Sequence, residues 1–413
     1  MSIPKLLFVA PAVGRYSEVW MYRQMCGLDG FDVRVAAPQY DDPPGHPERG
    51  FRFVRCPKPR LGRRETSPLR RIKHAVRRLG RRDLGGMDAG REEAVFWRRE
   101  LRDHRPDMAL IHYGDLGVHY APMLIRHRIP FAVHFNGYDL SRLTRNPDYV
   151  RRLTAIGHRA SALFVVADYM RDFLRGRGIA EEKIIYQPYG VPRDLLRGSP
   201  RTSDAGGPCR FLAVGRLTPK KAPVQTIEAF AACRRRFPDA TLRIVGDGAL
   251  MEACRRRVDE LGVRDAVEFA GPLPFTAVRE AFDLASVFVQ HSITSEDGNR
   301  EGWPVSVAEA AAAGLPVVAT RHAGIPQQVV DGRTGILTDE GDTDAMAAAM
   351  IRLAGDAELR RSMSTEATRH IGRWTSQRQV AALNGHLRRC FHAASRKFDP
   401  DAAVDPTPKR QAA

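Results

Sequence analysis

The feature that most constrains this chain is an alternation. Short apolar runs bounded by glycine or proline take turns with helical stretches along nearly its whole length. In the first half, residues 6–10, 33–37, 108–112, 131–135, 163–166 and 183–187 read as strands. They are short and almost wholly apolar, as parallel strands buried on both faces must be. Residues 17–28, 118–127 and 147–160 read as helices between them. A stretch rich in Gly, Ser and Pro at 197–209 interrupts the pattern and reads as a linker. Beyond it the alternation restarts, with strands at 211–214, 242–245, 267–269, 287–290 and 316–319 and helices at 224–237, 250–261, 275–284 and 305–313. Strand–helix repetition on both sides of a linker predicts an α/β chain of two Rossmann-like, doubly wound parallel sheets facing each other across a cleft. The expected division is a first domain over 1–196 carrying a basic helical insertion at 57–105, the linker, a second domain over 210–373, a helix over 374–396 and a disordered tail over 397–413.

Charge is distributed unevenly. Residues 1–200 carry 36 Lys and Arg against 22 Asp and Glu, and residues 201–413 carry 29 against 26. Arginine outnumbers lysine throughout, as a GC-rich codon pool would produce, but that does not explain why one half is basic. The lopsidedness suggests an anionic partner, such as a lipid surface or a phosphorylated carrier. Nucleic acid is not expected. The basic residues are not interleaved with a stacking aromatic platform, and no recognition helix is evident. No apolar run approaches the roughly 20 residues that span a bilayer. The N-terminus reads as a strand rather than a secretion signal, and the six cysteines never pair as C-x-x-C. The chain is therefore expected in the cytoplasm, peripheral on the inner face of the cytoplasmic membrane.

Ligands of doubly wound sheets bind beyond the C-terminal ends of the strands. Two such loops carry chemistry. In Val214-Gly215-Arg216-Leu217-Thr218-Pro219-Lys220-Lys221-Ala222 a buried strand ends at Gly215, and Arg216 and Lys221 follow in one short loop. A guanidinium fork and an ammonium at a strand end suit a diphosphate, and a solvated basic loop is the alternative. In Glu301-Gly302-Trp303-Pro304-Val305-Ser306-Val307-Ala308-Glu309 an alanine-rich helix starts near Pro304, with Glu301 in the loop before it and Glu309 about two turns inside. The helix N-terminus again suits phosphate, and the carboxylates suit hydroxyl groups of a sugar and a ribose. Glu309 as an ordinary surface glutamate is the alternative.

Taken together, these segments resemble the large retaining family four of GT-B glycosyltransferases. The resemblance runs from Leu6 to about Trp374. It rests on Gly-Arg-Leu-x-x-x-Lys at 215–221, Leu-Arg-Ile-Val-Gly-Asp-Gly at 242–248, Val-Glu-Phe-Ala-Gly-Pro-Leu at 267–273, the Glu-x7-Glu element at 301–309 and Ala-Gly-Ile-Pro…Val-Val-Asp-Gly-x-Thr-Gly at 323–335, in the family's order. Ser17-Glu18, Phe135-Asn136-Gly137-Tyr138-Asp139 and Asp297-Gly298-Asn299-Arg300-Glu301-Gly302 look like the branch that builds exopolysaccharide and capsule. The resemblance implies that Arg216 and Lys221, with Lys220 as backup, hold the donor diphosphate. It implies that Glu301 meets the donor sugar and that Glu309 meets the ribose. Gly302, Pro304 and Val305 would contact sugar and phosphate, Leu273 the base, and Gly14 and Gly215 the diphosphate. His112, His134, Asn136 and Asp139 are candidates for contact with sugar or acceptor. The expected partners are a nucleotide-diphosphate sugar and a lipid-linked or glycan acceptor, with no cofactor and no metal, since no Asp-x-Asp sits in a strand-end loop.

Three positions depart from the family. Asn136 stands where the branch usually has His, and an amide cannot titrate. Ala222 replaces a glycine, a change read as mild. Gln327 replaces an acidic residue. Asn136 keeps open a catalytically dead subunit as a rival reading. A nicotinamide-dependent oxidoreductase is a weaker rival, because Gly246-Asp247-Gly248 lacks the third glycine of the dinucleotide fingerprint.

Overall fold

Seven parallel strands form one sheet: β1 (Lys5–Val9), β2 (Asp32–Ala37), β3 (Arg52–Arg55), β4 (Met108–His112), β5 (Phe131–His134), β6 (Ala162–Val165) and β7 (Ile184–Tyr186), in the order β3-β2-β1-β4-β5-β6-β7. Six more form a second: β8 (Arg210–Val214), β9 (Thr241–Val245), β10 (Val267–Gly271), β11 (Val287–Gln290), β12 (Val317–Thr320) and β13 (Gly335–Thr338), in the order β10-β9-β8-β11-β12-β13. This computed structural model describes residues 3–14, 18–41, 50–59, 85–197 and 207–397. Ser17, most of the linker, the tail from 398 and the stretch 60–84 lie outside them.

The strands form where the sequence is apolar on both faces. Every residue of β4, β5 and β6 is buried, and β1 is buried from Leu6 to Val9. Two of the four edge strands, β3 and β13, escape the apolar-run reading. Arg-Phe-Val-Arg has charge at both ends and half-exposed centres, and Gly-Ile-Leu-Thr opens on a glycine. The ends of β3 are exposed, so its composition need not be apolar, whereas β13 is mostly buried and is hidden by its brevity and its glycine.

Strand order reverses between β1 and β4 in the first sheet and between β8 and β11 in the second. Such switch points open a crevice at the carboxyl ends of the strands. The loops leaving β1, β8 and β11 carry Gly14, Lys221 and Glu301, and the helix Gly114–Arg126 that follows β4 carries Asp115 in its first turn.

The basic insertion needs correcting. Its described helix, Gly85–Asp103, carries four arginines and five acidic residues, and it buries Trp97, Glu100 and Leu101. Glu100 pairs with Arg34 of β2 at 2.7 Å. This helix covers the sheet through an i, i+4 apolar pair, so it is not an exposed basic arm. The excess of arginine falls on 60–84. The last helix, Ser376–Lys397, returns to the first sheet's side of the molecule. Leu383 and Leu387 are buried there, and Asn384 Nδ2 donates to the Gly27 carbonyl at 3.0 Å. Among the described residues no helix is long and apolar enough to cross a membrane, and all six cysteines are free thiols.

Candidate functional site

The loop leaving β8 is shaped by backbone contact. Gly215 and Gly246 both have positive φ (151° and 131°), and a Cβ on Gly246 would collide with the Gly215 carbonyl. Only glycine lets the exits of β8 and β9 lie this close. The 3₁₀ turn Pro219–Lys221 then carries both lysines inward. Ala222, which ends that turn, is left-handed at φ 41°. The glycine it replaces would be unstrained there, so the change is less mild than the sequence suggests.

Glu301 meets both lysines. Lys220 Nζ lies 3.2 Å from Oε2 and Lys221 Nζ 3.1 Å from Oε1. The Glu301 side chain is 7% exposed and each lysine 16%. Burial alone would raise the carboxyl's pKa, but the two ammonium groups outweigh it and hold it at about 2. Burial lowers the Lys221 ammonium from its ordinary value, while Glu301 opposes the shift. Gln290, at the end of β11, joins the cluster to the next helix. Its Oε1 accepts from Lys221 Nζ at 3.1 Å and from Ser306 Oγ at 3.2 Å. Ser306 is in the first turn of the helix Val305–Ala312, so that helix's N-terminus adjoins the ammonium groups. Arg216 is exposed and lines the same depression as Gly215, Lys221 and Gln290.

The opposite wall comes from the first sheet. Asn136 to Ser141 leave β5 as a tight turn in which the Asn136 N–H donates to Asp139 Oδ2 at 2.7 Å. Gly137 presses on the Glu301 and Gly302 backbone so closely that a Cβ there would strike Gly302 N at 2.7 Å. Tyr169, in the helix Asp168–Arg175, spans the gap. Its hydroxyl lies 3.0 Å from both the Gly137 and the Glu301 carbonyls, and the Arg300 guanidinium stacks 4.3 Å over its ring. Arg142 pairs with Asp297 at 3.0 Å in the same seam.

Four sequence candidates lie beneath this surface. His112 is fully buried at the end of β4, stacked on Phe8 at 4.6 Å, and neither ring nitrogen has a hydrogen-bond partner among the described residues. His134 is equally buried, and its Nε2–H donates to the Gln187 carbonyl at 2.9 Å. Burial lowers both imidazoles, that of His134 to about 4, so both are neutral. Trp20 and Tyr189, stacked at 3.7 Å, pack against them. They are packed histidines in this structure and do not line the cleft. Asn136 is 6% exposed and accepts from Tyr189, and Asp139 is wholly buried. Burial and then Asp115 push the Asp139 carboxyl well above the usual range. Both residues serve the turn that holds Gly137 in place.

Glu309 lies four residues past Val305, one turn into its helix and not the two turns read from sequence. Burial raises its carboxyl to about 7, and Arg23 of the first domain opposes the shift. Arg23 itself lies over the Phe275 ring at 5.3 Å, so the two domains face each other here too. Gly14 has a φ of 89° at the mouth of β1, and Pro304 precedes the first helical residue. Sequence reasoning missed Tyr169, Arg23, His322 and Glu340. His322 stands just past the end of β12, a position that marks it as near the strand ends without telling whether it meets the site. No group of His, Cys, Asp and Glu side chains among the described residues could hold a metal ion.

Residues 201–370 match the family model described as glycosyl transferases group 1, and residues 18–190 match that of a glycosyl transferase 4-like domain. Over 287 residues the chain is 32% identical to a putative colanic acid biosynthesis glycosyltransferase, WcaL, of Salmonella typhimurium, covering 67% of this chain and 70% of that protein. It is 29% identical over 288 residues to the amylovoran biosynthesis glycosyltransferase AmsK of Erwinia amylovora, covering 67% and 69%. Among solved structures, Anabaena Alr3699/HepE in complex with UDP and glucose is similar with a TM-score of 0.70, covering 94% of this chain and 100% of that one at 17% identity. WaaG, a glycosyltransferase involved in lipopolysaccharide biosynthesis, is similar with a TM-score of 0.65, covering 92% and 98% at 16% identity. At such identities the likeness shows the fold.

Proposed function

The chain belongs to the group 1 glycosyltransferases of GT-B fold, and from that membership we propose that it moves a sugar with retention from a nucleotide diphosphate to a lipid-linked or glycan acceptor in surface polysaccharide biosynthesis. The observation that carries the reading is the buried Glu301–Lys220–Lys221 cluster at a helix N-terminus, with Arg216 beside it. The relatives named for colanic acid and amylovoran support the pathway, and the UDP complex of HepE supports the donor class.

In this reading the donor diphosphate enters beside Arg216, Lys220, Lys221 and the first turn after Pro304. It takes over the lysines as counter-ion, which releases Glu301 to face the anomeric carbon. The bond from that carbon to the phosphate oxygen breaks as the acceptor oxygen bonds on the same face. The acceptor's proton passes to the departing phosphate, and the nucleoside diphosphate leaves. The protein supplies charge and alignment. Glu309 holds the ribose, and the backbone of Gly14, Gly215, Gly302 and Val305 lines the diphosphate and sugar, with Leu273 against the base. A panel of UDP-, GDP- and ADP-sugars tests the proposal, with product anomers read by NMR. Failure of every donor to bind or hydrolyse, or an inverted product, would overturn it.

Glu309 gives the reading a pH signature. Ionised, its carboxylate can accept from two ribose hydroxyls in charge-assisted bonds, whereas the protonated acid turns one oxygen into a donor and accepts only as a neutral carbonyl. With its carboxyl at about 7, nucleotide affinity should fall as pH drops below that value, by at most about tenfold per unit. Titrating UDP and GDP between about pH 8 and about pH 6 checks this, and Glu309→Gln should flatten the profile. The stretch 60–84, with ten Lys and Arg against two Asp and Glu, is proposed to dock on anionic lipid. Flotation with phosphatidylglycerol vesicles should show binding at low salt that is lost at high salt. Absence of binding at low salt would remove the membrane from the proposal.

A further inference from the structure

We propose that His322, held by Glu340, is a positioning residue that fixes the Glu301 backbone. The inference rests on the role given to Glu301 above. His322 follows β12 and is completely buried. Its Nε2 lies 3.0 Å from the Glu301 backbone nitrogen. That N–H can only donate, so Nε2 carries the lone pair. A neutral imidazole has one N–H, which must then be at Nδ1. Nδ1 lies 2.6 Å from Glu340 Oε1, and Glu340 accepts that hydrogen. The other carboxylate oxygen, Oε2, accepts from the Thr294 N–H at 2.7 Å. One chain of hydrogen bonds therefore runs from Thr294 through Glu340 and His322 to Glu301, and it ties together the loops that leave β11, β12 and β13.

The need for such a brace follows from the ion pairs. The two lysines anchor the Glu301 carboxylate. When a diphosphate recruits those ammonium groups, the side chain loses its anchors at the moment its position matters. What remains is the backbone on either side of it. The Glu301 N–H is held by His322, and its carbonyl accepts from the Tyr169 hydroxyl at 3.0 Å. The hydrogen bonds of His322 go to the Glu301 N–H and to Glu340, so its contribution runs through Glu301.

Two measurements test this. Side-chain ¹⁵N NMR of the full chain, with the signal assigned by its loss in His322→Gln, should show His322 as the Nδ1–H tautomer at neutral pH. The Nε2–H tautomer or a charged ring would overturn the proposal. The second uses His322→Leu, which fills the space but accepts nothing, and His322→Gln, whose amide oxygen can accept from the Glu301 N–H. On whichever UDP- or GDP-sugar the unmutated chain turns over, the Leu variant should lose about 30-fold in kcat, with the Kd for UDP or GDP within about threefold, and Gln should recover most of the loss. Unchanged kcat in the Leu variant, or equal losses in both, would overturn it. If the Leu variant does not fold, the tautomer and the Gln variant's kcat decide. Glu301→Gln run in parallel separates the two readings. An active Glu301→Gln protein removes the Glu301 role while leaving the tautomer standing. An inactive one beside a normal Leu variant removes only the positioning role.

Discussion

Glu301→Gln is expected to lower turnover by about 10²- to 10³-fold, the usual loss when one preorganised charge is withdrawn from a developing one, while UDP or GDP binds as tightly as before or tighter. The split follows from the geometry. The Glu301 carboxylate is the counter-ion of Lys220 and Lys221 at 3.2 and 3.1 Å. A nucleoside diphosphate must displace it to reach the same ammonium groups, so removing the negative charge removes a competitor. The substitution should also lower stability. A carboxyl held at about 2 against an ordinary 4.5 stabilises the fold fully above about pH 4.5, and loses that contribution as pH falls towards about 2. The shift corresponds to about 3 kcal/mol. Thermal melts at neutral pH should fall, and the acid dependence between those values should flatten. Normal turnover, or an affinity that falls with turnover, would contradict the assignment.

Much of this site could be read from the chain because its chemistry sits at strand ends, and strand ends are marked. Gly215 stops an apolar run, and Arg216 and Lys221 follow within six residues. Glu301 and Glu309 bracket a proline and an alanine-rich helix start. The strand order that brings these loops together follows from the strand–helix alternation. Of the four edge strands, β7 and β10 were legible as apolar runs, but β3 was not, because exposed arginines bound it, and neither was β13, a four-residue strand that opens on a glycine. The depth of His112 and His134 was not legible either. A histidine at a strand end has the same spacing whether it lines a cleft or lies under Trp20 and Tyr189, and only the packing of a helix from elsewhere in the chain decides which. Tyr169 illustrates the harder case. Its hydroxyl joins carbonyls 32 residues upstream and 132 downstream, and no local pattern announces such a bridge. Lys220 falls between these extremes. Adjacent lysines offered two candidates for one role, and the 3₁₀ turn gives each a different oxygen of the same carboxylate.

That shared carboxylate leads to the largest expected effect. Replacing both Lys220 and Lys221 by Ala should abolish measurable transfer, a loss beyond about 10³-fold, and weaken UDP or GDP by about 10²-fold, because the diphosphate then meets Arg216 and a helix end alone. Either single substitution should cost much less than half of the double effect in logarithmic terms, since the remaining ammonium still neutralises Glu301 and still meets phosphate. The double variant should also reverse the acid response. With both cations gone, burial acts on Glu301 unopposed and its pKa rises above 4.5. A buried unpaired carboxylate at neutral pH destabilises the fold by about 3–5 kcal/mol. Stability should therefore increase as pH falls through the raised value, where the unmutated chain shows only loss. Adding Glu301→Gln to the double variant should restore the melting temperature without restoring activity. That rescue separates a charge imbalance from a general failure to fold, and leaves the missing ammonium groups as the reason why the diphosphate is no longer held. If the double variant still binds UDP or GDP and transfers sugar at near-normal rates, the diphosphate does not lie between these lysines and the helix beginning at Val305.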